Sequence, residues 1–241
     1  MKNVVIIQAR MGSTRLPGKV LKQLFDKTVL GHVIARSKLF LNVHEIVVAT
    51  TTSNSDNLIV EECKKQGVQI YRGSETDVLS RYYEAASLVK ADSIIRVTSD
   101  CPLIDPEVSS GVLNEYLKRK ACDYVSNTLE RTYPRGLDTE VFSFTALESA
   151  YYEARQSPER EHVTPYLYNN PRRFSCHSVA NPNGVIDYRW TLDTPEDWEL
   201  IERIYKHLYH ADSIFTWKEA LKVMNENPEW KNINASIKQK H

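Results

Sequence analysis

Apolar runs and helical stripes alternate through the first half of the chain. Asn3–Gln8, Glu45–Thr50, Val68–Tyr71 and Ser93–Thr98 read as strands, the first an almost unbroken apolar run. Such runs suit strands buried on both faces of a parallel sheet. Between them, Thr28–Leu39, Asn57–Gln66, Val78–Lys90 and Pro106 to about Lys120 read as helices, with apolar residues spaced as at Val29, Leu30, Val33 and Ile34. Gly67 stops the second helix, Asp56 is placed to cap it, and Asp105-Pro106 opens the fourth. This alternation predicts an α/β fold of βαβ units, a three-layer arrangement with a mostly parallel open sheet.

Beyond a short strand at Asp123–Ser126 the rhythm changes. Residues 127–137 are irregular, and Asp138–Phe142 reads as a strand feeding a helix at Phe144–Arg155. A further helix, Glu159–Tyr168, is interrupted near Pro165, and Phe174–Val179 and Ile186–Leu192 read as strands. Trp198–Tyr209 and Trp217–Asn225 are the closing helices, and the last dozen residues look like a loose tail. The expectation is one domain over 1–241 with an inserted α+β segment at roughly 127–180.

Composition narrows the function classes. Lysine plus arginine and aspartate plus glutamate both number 31, so a nucleic-acid partner has no electrostatic footprint beyond a local pocket. No run of about 18 apolar residues exists to cross a membrane, and the N-terminus lacks a signal-peptide pattern. Cys63, Cys101, Cys122 and Cys176 form no CxxC pair and no zinc pattern, so free thiols and a cytoplasmic location are expected.

The first strand runs into Arg10-Met11-Gly12-Ser13-Thr14-Arg15-Leu16-Pro17-Gly18-Lys19. Small residues let backbone amides face an anion, and three cations beside them suit a polyphosphate. The spacing is not that of Walker A: Pro17 precedes the second glycine, the gap between Gly12 and Gly18 is one residue too long, and Val20 follows Lys19. GxGxxG is absent too. Asp100 and Asp193 each follow an expected strand, on the sheet edge that carries the loop. Two carboxylates with phosphate oxygens and water suit Mg²⁺, although either aspartate could instead serve a helix end. Of seven histidines none sits in a nucleophile–base pattern, and only His162 is placed to reach a substrate. The tyrosines at helical positions, among them Tyr82, Tyr83, Tyr151 and Tyr152, are better explained by packing than by base stacking.

The run Gln8 to Lys19 resembles the signature loop of the sugar-acid cytidylyltransferases, the octulosonate and acylneuraminate enzymes among them. Arg72–Tyr83, Arg135–Phe142, Arg160–Tyr166 and Leu192–Asp197 resemble more specifically the spore coat polysaccharide branch. The resemblance implies a nucleotide-diphosphosugar-transferase (GT-A-like) fold and Mg²⁺-dependent transfer of CMP from CTP to a sugar acid, with release of pyrophosphate, for surface polysaccharide biosynthesis. It implies Ala9, Arg10, Gly12, Ser13, Arg15 and Lys19 on the nucleotide, with Arg72, Gly73 and Ser74 at the cytosine. Arg10, Lys19 and Asp100 would be catalytic, and Asp100 and Asp193 would hold the metal. Arg135, Asp138, Glu140 and His162 would meet the acceptor, with 127–180 as acceptor and homodimer segment. Around Thr98-Ser99-Asp100-Cys101-Pro102 the chain departs from the octulosonate pattern, so that acceptor does not carry over. Two rivals remain: a glycosyltransferase, which would usually carry an Asp-x-Asp motif absent here, and a catalytically silent scaffold subunit. A cytidylyltransferase acting on a phosphorylated small molecule is a third reading.

Overall fold

The computed structural model describes residues 1–238. In chain order, β1 (Asn3–Gln8), β2 (Gln23–Leu24), β3 (Lys27–Thr28), α1 (Val29–Ser37), β4 (Glu45–Thr51), α2 (Asn57–Gln66), β5 (Gln69–Gly73), α3 (Val78–Leu88), β6 (Ser93–Thr98) and α4 (Pro106–Lys118) form the first half. Then come β7 (Tyr124–Ser126), β8 (Glu140–Ser143), α5 (Phe144–Glu153), α6 (Ser157–His162), α7 (Pro165–Tyr168), β9 (Cys176–Ser178), α8 (Pro195–Leu208) and α9 (Trp217–Glu226).

The main sheet has seven strands in the order β5-β4-β1-β6-β8-β7-β9. β5, β4, β1 and β6 are mutually parallel, and β8 runs antiparallel to both its neighbours. The expected inserted segment therefore lengthens the sheet, because β8 crosses back between β6 and β7. β1 lies inside the sheet, between β4 and β6, with both faces covered. Val4 and Ile6 pack with α3, α5 and α7 on one side, while Val5 and Ile7 pack with α1, α2 and α4 on the other. A third cluster joins α8 and α9 to Trp190, Leu192 and Leu137 beside the sheet.

The structure departs from the expected elements at Ile186–Leu192, at Asp56 and in the tail. Ile186–Leu192 is extended but is no strand of the sheet; it keeps a single bridge, Arg135 to Arg189. Close approach at Gly136 allows this, since a Cβ there would stand 2.5 Å from the Trp190 carbonyl oxygen, and φ is +102°. Asp56 makes no side-chain cap on α2, because its carboxylate turns towards β4 and the first loop. The expected tail is partly packed: Trp230 and Asn234 are buried, while its last residues, 239–241, lie outside the described part.

Between α6 and α7, Val163 adopts φ +73° and Thr164 N–H donates to the His162 carbonyl at 2.9 Å, a strained γ-turn at a β-branched residue. The turn breaks the expected Glu159–Tyr168 helix just ahead of Pro165. It also aims the Thr164 hydroxyl at Glu140, 2.6 Å away.

His32 belongs to the seam between α1 and α8. Its Nε2 lies 2.7 Å from the Leu24 carbonyl, so this nitrogen carries the proton, and the ring stands edge-on to Tyr205 and Tyr209. Burial pushes its pKa down to about 4 from an ordinary 6.5. The unfolded chain therefore binds the proton first, and stability falls as pH drops from 6.5 towards 4. The loss is at most about 3 kcal/mol. Urea unfolding across this window should show the fall, and His32→Gln should flatten it; an unchanged slope would count against the assignment.

Candidate active site

The carboxyl ends of β1, β4, β5 and β6 meet on one edge, and the loops that leave them are tied together there. Asp56 is the first tie. Its buried carboxylate accepts from Met11 N–H at 2.9 Å, from the Thr50 hydroxyl at 3.0 Å and from the Thr51 hydroxyl at 2.6 Å. Those contacts outweigh the cost of burial and hold its pKa below the usual carboxylate value. Arg72 is the second tie. It donates to the Thr51 and Ser53 carbonyls at 2.9 Å each and to Asn57 Oδ1 at 2.7 Å. The structure thus uses the Arg72 side chain to brace the β4 loop, whereas the resemblance placed it at a base.

Within the first loop, Gly18 takes φ +66° and Lys19 starts a short 3-10 turn. Ser13 N–H donates to the Met11 carbonyl at 2.8 Å, and Ser13 Oγ lies 3.4 Å from Leu16 N. Among the described residues, the N–H groups of Gly12, Thr14 and Arg15 have no protein acceptor, nor does the exposed Arg10 guanidinium. Gly12 faces the Glu75 side chain across the gap to the β5 loop. The first loop thus leaves several donors unpartnered at the carboxyl end of β1.

Lys19 itself turns the other way. Its Nζ donates to Asp100 Oδ2 at 2.7 Å, to Asp193 Oδ1 at 2.8 Å and to the Leu192 carbonyl at 2.6 Å. Burial works against the ammonium, but the two carboxylates outweigh it and hold the Lys19 pKa above its ordinary value. Burial likewise opposes ionisation of Asp100, yet Lys19 keeps that carboxyl below the usual range. The loop thus meets the aspartates directly through Lys19, and Arg15 adds a contact to Asp193 Oδ2 at 3.2 Å.

Asp193 reaches this place without a strand. Leu192 N–H donates to the Asp100 carbonyl at 2.8 Å, which lays the extended segment beside the end of β6. Arg189 then holds Asp193 Oδ2 at 2.8 Å and the fully buried Asp197 with Nε and Nη2. Asp197 also accepts from the N–H groups of Asp193 and Thr194, and from Asn234 Nδ2 at 2.9 Å. Thr194, not Asp193, is the N-cap of α8.

Two carboxylate oxygens that already share one cation form a donor set a divalent ion can use. Mg²⁺ takes one or two carboxylates and fills its remaining positions with phosphate oxygens and water. Among the described residues no group of three or more His, Cys, Asp or Glu forms, so a site made of protein ligands alone is not present.

The residues expected at an acceptor separate. The Arg135 side chain has no hydrogen-bond partner among the described residues and lies in the field of Arg131, Asp138 and Arg189. Asp138 makes a two-point contact with Arg131 at 3.0 and 2.9 Å. His162 is exposed at the end of α6, which Arg160 anchors to Asp77 at the start of α3. Glu140 is buried opposite Arg96 in the β6–β8 register. Arg96 holds one of its oxygens, and Tyr124 and Thr164 hold the other. Sequence reasoning missed this network, along with Asp56, Arg189 and Arg81. For Arg81 a signal existed: it shares helical spacing with Val78, Tyr82 and Ala85, so it belongs on the buried face of α3.

The cytidylyltransferase family pattern matches residues 4–227. An uncharacterised protein of Methanocaldococcus jannaschii is 40% identical over 100% of this chain and 97% of its own length. The spore coat polysaccharide biosynthesis protein SpsF of Bacillus subtilis is 33% identical, with 93% of this chain and 94% of the relative covered. A cytidylyltransferase structure from Leptospira borgpetersenii superposes with a TM-score of 0.91 at 35% identity, over all of both chains. The chain belongs to the cytidylyltransferase family.

Proposed function

We propose that this cytidylyltransferase transfers CMP from CTP to a sugar acid and releases pyrophosphate, as a step of surface polysaccharide biosynthesis. The observation that carries the reading is the junction of Lys19 with Asp100 and Asp193, set beside a loop of unpartnered donors. An acceptor hydroxyl oxygen attacks the α-phosphorus in line; the new O–P bond forms as the bond to the bridging oxygen of the β-phosphate breaks, and the hydroxyl proton passes to solvent water. Such a transfer depends mainly on positioning and neutralisation of charge.

Arg10, Arg15 and the amides of Gly12, Thr14 and Arg15 are assigned to the leaving pyrophosphate, whose charge grows as the bond breaks. Ala9, Gly73 and Ser74 border the nucleoside side of the same edge. Asp100 and Asp193 would hold Mg²⁺, which when bound supplies positive charge to the phosphate oxygens. Lys19 keeps the Asp100 carboxyl ionised, aligns it with Asp193, and places a further cation at the junction. No step needs a histidine base.

Arg135 and, apart from it at the end of α6, His162 are assigned to the acceptor under this reading, with Asp138 ordering Arg131 near Arg135. Glu140 leaves that group, because both of its oxygens are engaged inside the core. A free guanidinium next to Arg131 and Arg189 suits an acceptor carboxylate, and would equally take a phosphate. For the glycosyltransferase rival, the positions two residues either side of Asp100 are Thr98 and Pro102, and neither offers the second carboxylate of an Asp-x-Asp pair. The 127–180 segment, with exposed Tyr152 and Tyr168, is assigned to the contact of a homodimer.

Pyrophosphate release should be measured with each of the four NTPs and Mg²⁺, against sugar acids and phosphorylated acceptors. Release with CTP and a sugar acid is expected. A preference for UTP would refute the cytidine assignment, and release only with a phosphorylated acceptor would replace the sugar acid. In the same assay Lys19→Met should lower turnover by about 10²–10³, or roughly 3–4 kcal/mol; unchanged turnover would sink the role given to Lys19. Equilibrium sedimentation should return twice the chain mass, and a monomer at all concentrations would remove the dimer.

A further inference from the structure

The Lys19 ammonium has three hydrogens, and the junction gives it three acceptors. They are Asp100 Oδ2 at 2.7 Å, Asp193 Oδ1 at 2.8 Å and the Leu192 carbonyl at 2.6 Å. The other oxygen of Asp193 is taken as well, by Arg189 at 2.8 Å and Arg15 at 3.2 Å. The second Asp100 oxygen meets only the Cys101 thiol, 3.6 Å away. The two carboxylate oxygens that could share one divalent ion are therefore the two that Lys19 holds.

Charge leads to the same place. Three carboxylates meet here, Asp100, Asp193 and Asp197, and three cations answer them, Lys19, Arg15 and Arg189. The cluster is balanced before any ion arrives. A divalent cation entering alone would stand beside the ammonium with no net negative charge to offset it. Solvent screens that repulsion little, because the Lys19 and Arg189 side chains are only 11% and 10% exposed.

A polyphosphate changes both counts. The N–H groups of Gly12, Thr14 and Arg15 and the Arg10 guanidinium are unpartnered on the loop that carries Lys19. Phosphate oxygens held by those donors bring negative charge and offer the ammonium acceptors other than the aspartates. Lys19 reaches the pair on a flexible four-carbon stem, so rotation of the side chain alone can release it.

We propose that Lys19 is a gate on the aspartate pair, holding Asp100 and Asp193 closed to a divalent cation until a polyphosphate draws its ammonium away. The pair then takes a metal with the nucleotide or after it, not before. This goes beyond the alignment of the two carboxylates, and it rests on the reading of the site as one for CTP and a divalent metal. Two ligands coupled in this way favour each other reciprocally. The metal affinity of the free protein is reduced by the fraction of molecules in which the pair is open.

Binding of Mn²⁺ to the full-length protein without nucleotide tests the gate, followed by the electron paramagnetic resonance of the free ion, with thermal melting of each variant. The wild type should bind weakly, and Lys19→Met should bind at least about tenfold more tightly although its turnover falls. Lys19→Met leaves two carboxylates facing each other, so it should melt below the wild type and recover on adding Mn²⁺. Adding Asp193→Asn to Lys19→Met should abolish the gain, which separates the pair from acids elsewhere on the surface. Mn²⁺ binding that is equal or weaker in Lys19→Met, with melting unmoved by the ion, overturns the proposal. The wild type supplies a second measure that needs no variant. Calorimetric titration with CTP in EDTA should show binding, because release of Lys19 requires only the phosphates. CTP binding that appears only once metal is present would reverse the order and overturn the gate. A wild type that binds no CTP under either condition refutes the CTP reading itself and the gate with it.

Discussion

The ammonium of Lys19, held between two carboxylates and a carbonyl, is the contact on which the rest of the site depends. Two carboxylates brought this close repel each other unless a cation lies between them. Lys19 is that cation, and its own burial is tolerable only because Asp100 and Asp193 surround it. The three residues come from three distant parts of the chain. Their meeting fixes the first loop, the end of β6 and the segment before α8 against one another.

Around this junction the fold places buried acids that take no part in the proposed chemistry but decide where the chain goes. Asp56 draws the first loop onto β4, and Asp197 gathers Arg189, Asn234 and two backbone amides. Each carboxylate accepts several hydrogen bonds, which makes its burial affordable. On the other side of the sheet, the Arg96–Glu140 pair closes the antiparallel crossing of β8 over β6. That buried pair is fixed in place by Tyr124 and Thr164 and not by any exposed group.

Much of this was legible in the sequence, because the signals were local. Apolar stretches marked β1, β4 and β6, and Asp105 with Pro106 marked the start of α4 where the structure has it. The edge shared by the cationic loop and Asp100 followed from strand direction alone. The parts that were misread depend on distant partners. Ile186–Leu192 has strand-like composition, yet its backbone meets Thr132, Arg135 and Asp100 in place of a sheet strand, which no local pattern reveals. Glu140 resembles a polar site residue until β8 is known to run antiparallel and set it opposite Arg96. Arg72 and Arg81 look equally basic along the chain, and only tertiary contacts tell the braced Arg72 from Arg81, whose Nε and Nη1 find no partner.

The clamp on Asp193 has a consequence for the order of assembly. Asp100 is made before half the chain exists, and Asp193 before α8 and α9. Asp193 is oriented through Arg189 and Asp197, and both of these are bonded to Asn234. A nascent chain can therefore complete its central strands early and still lack an aligned carboxylate pair. Synthesis makes the central strands first and the residues that orient Asp193 last.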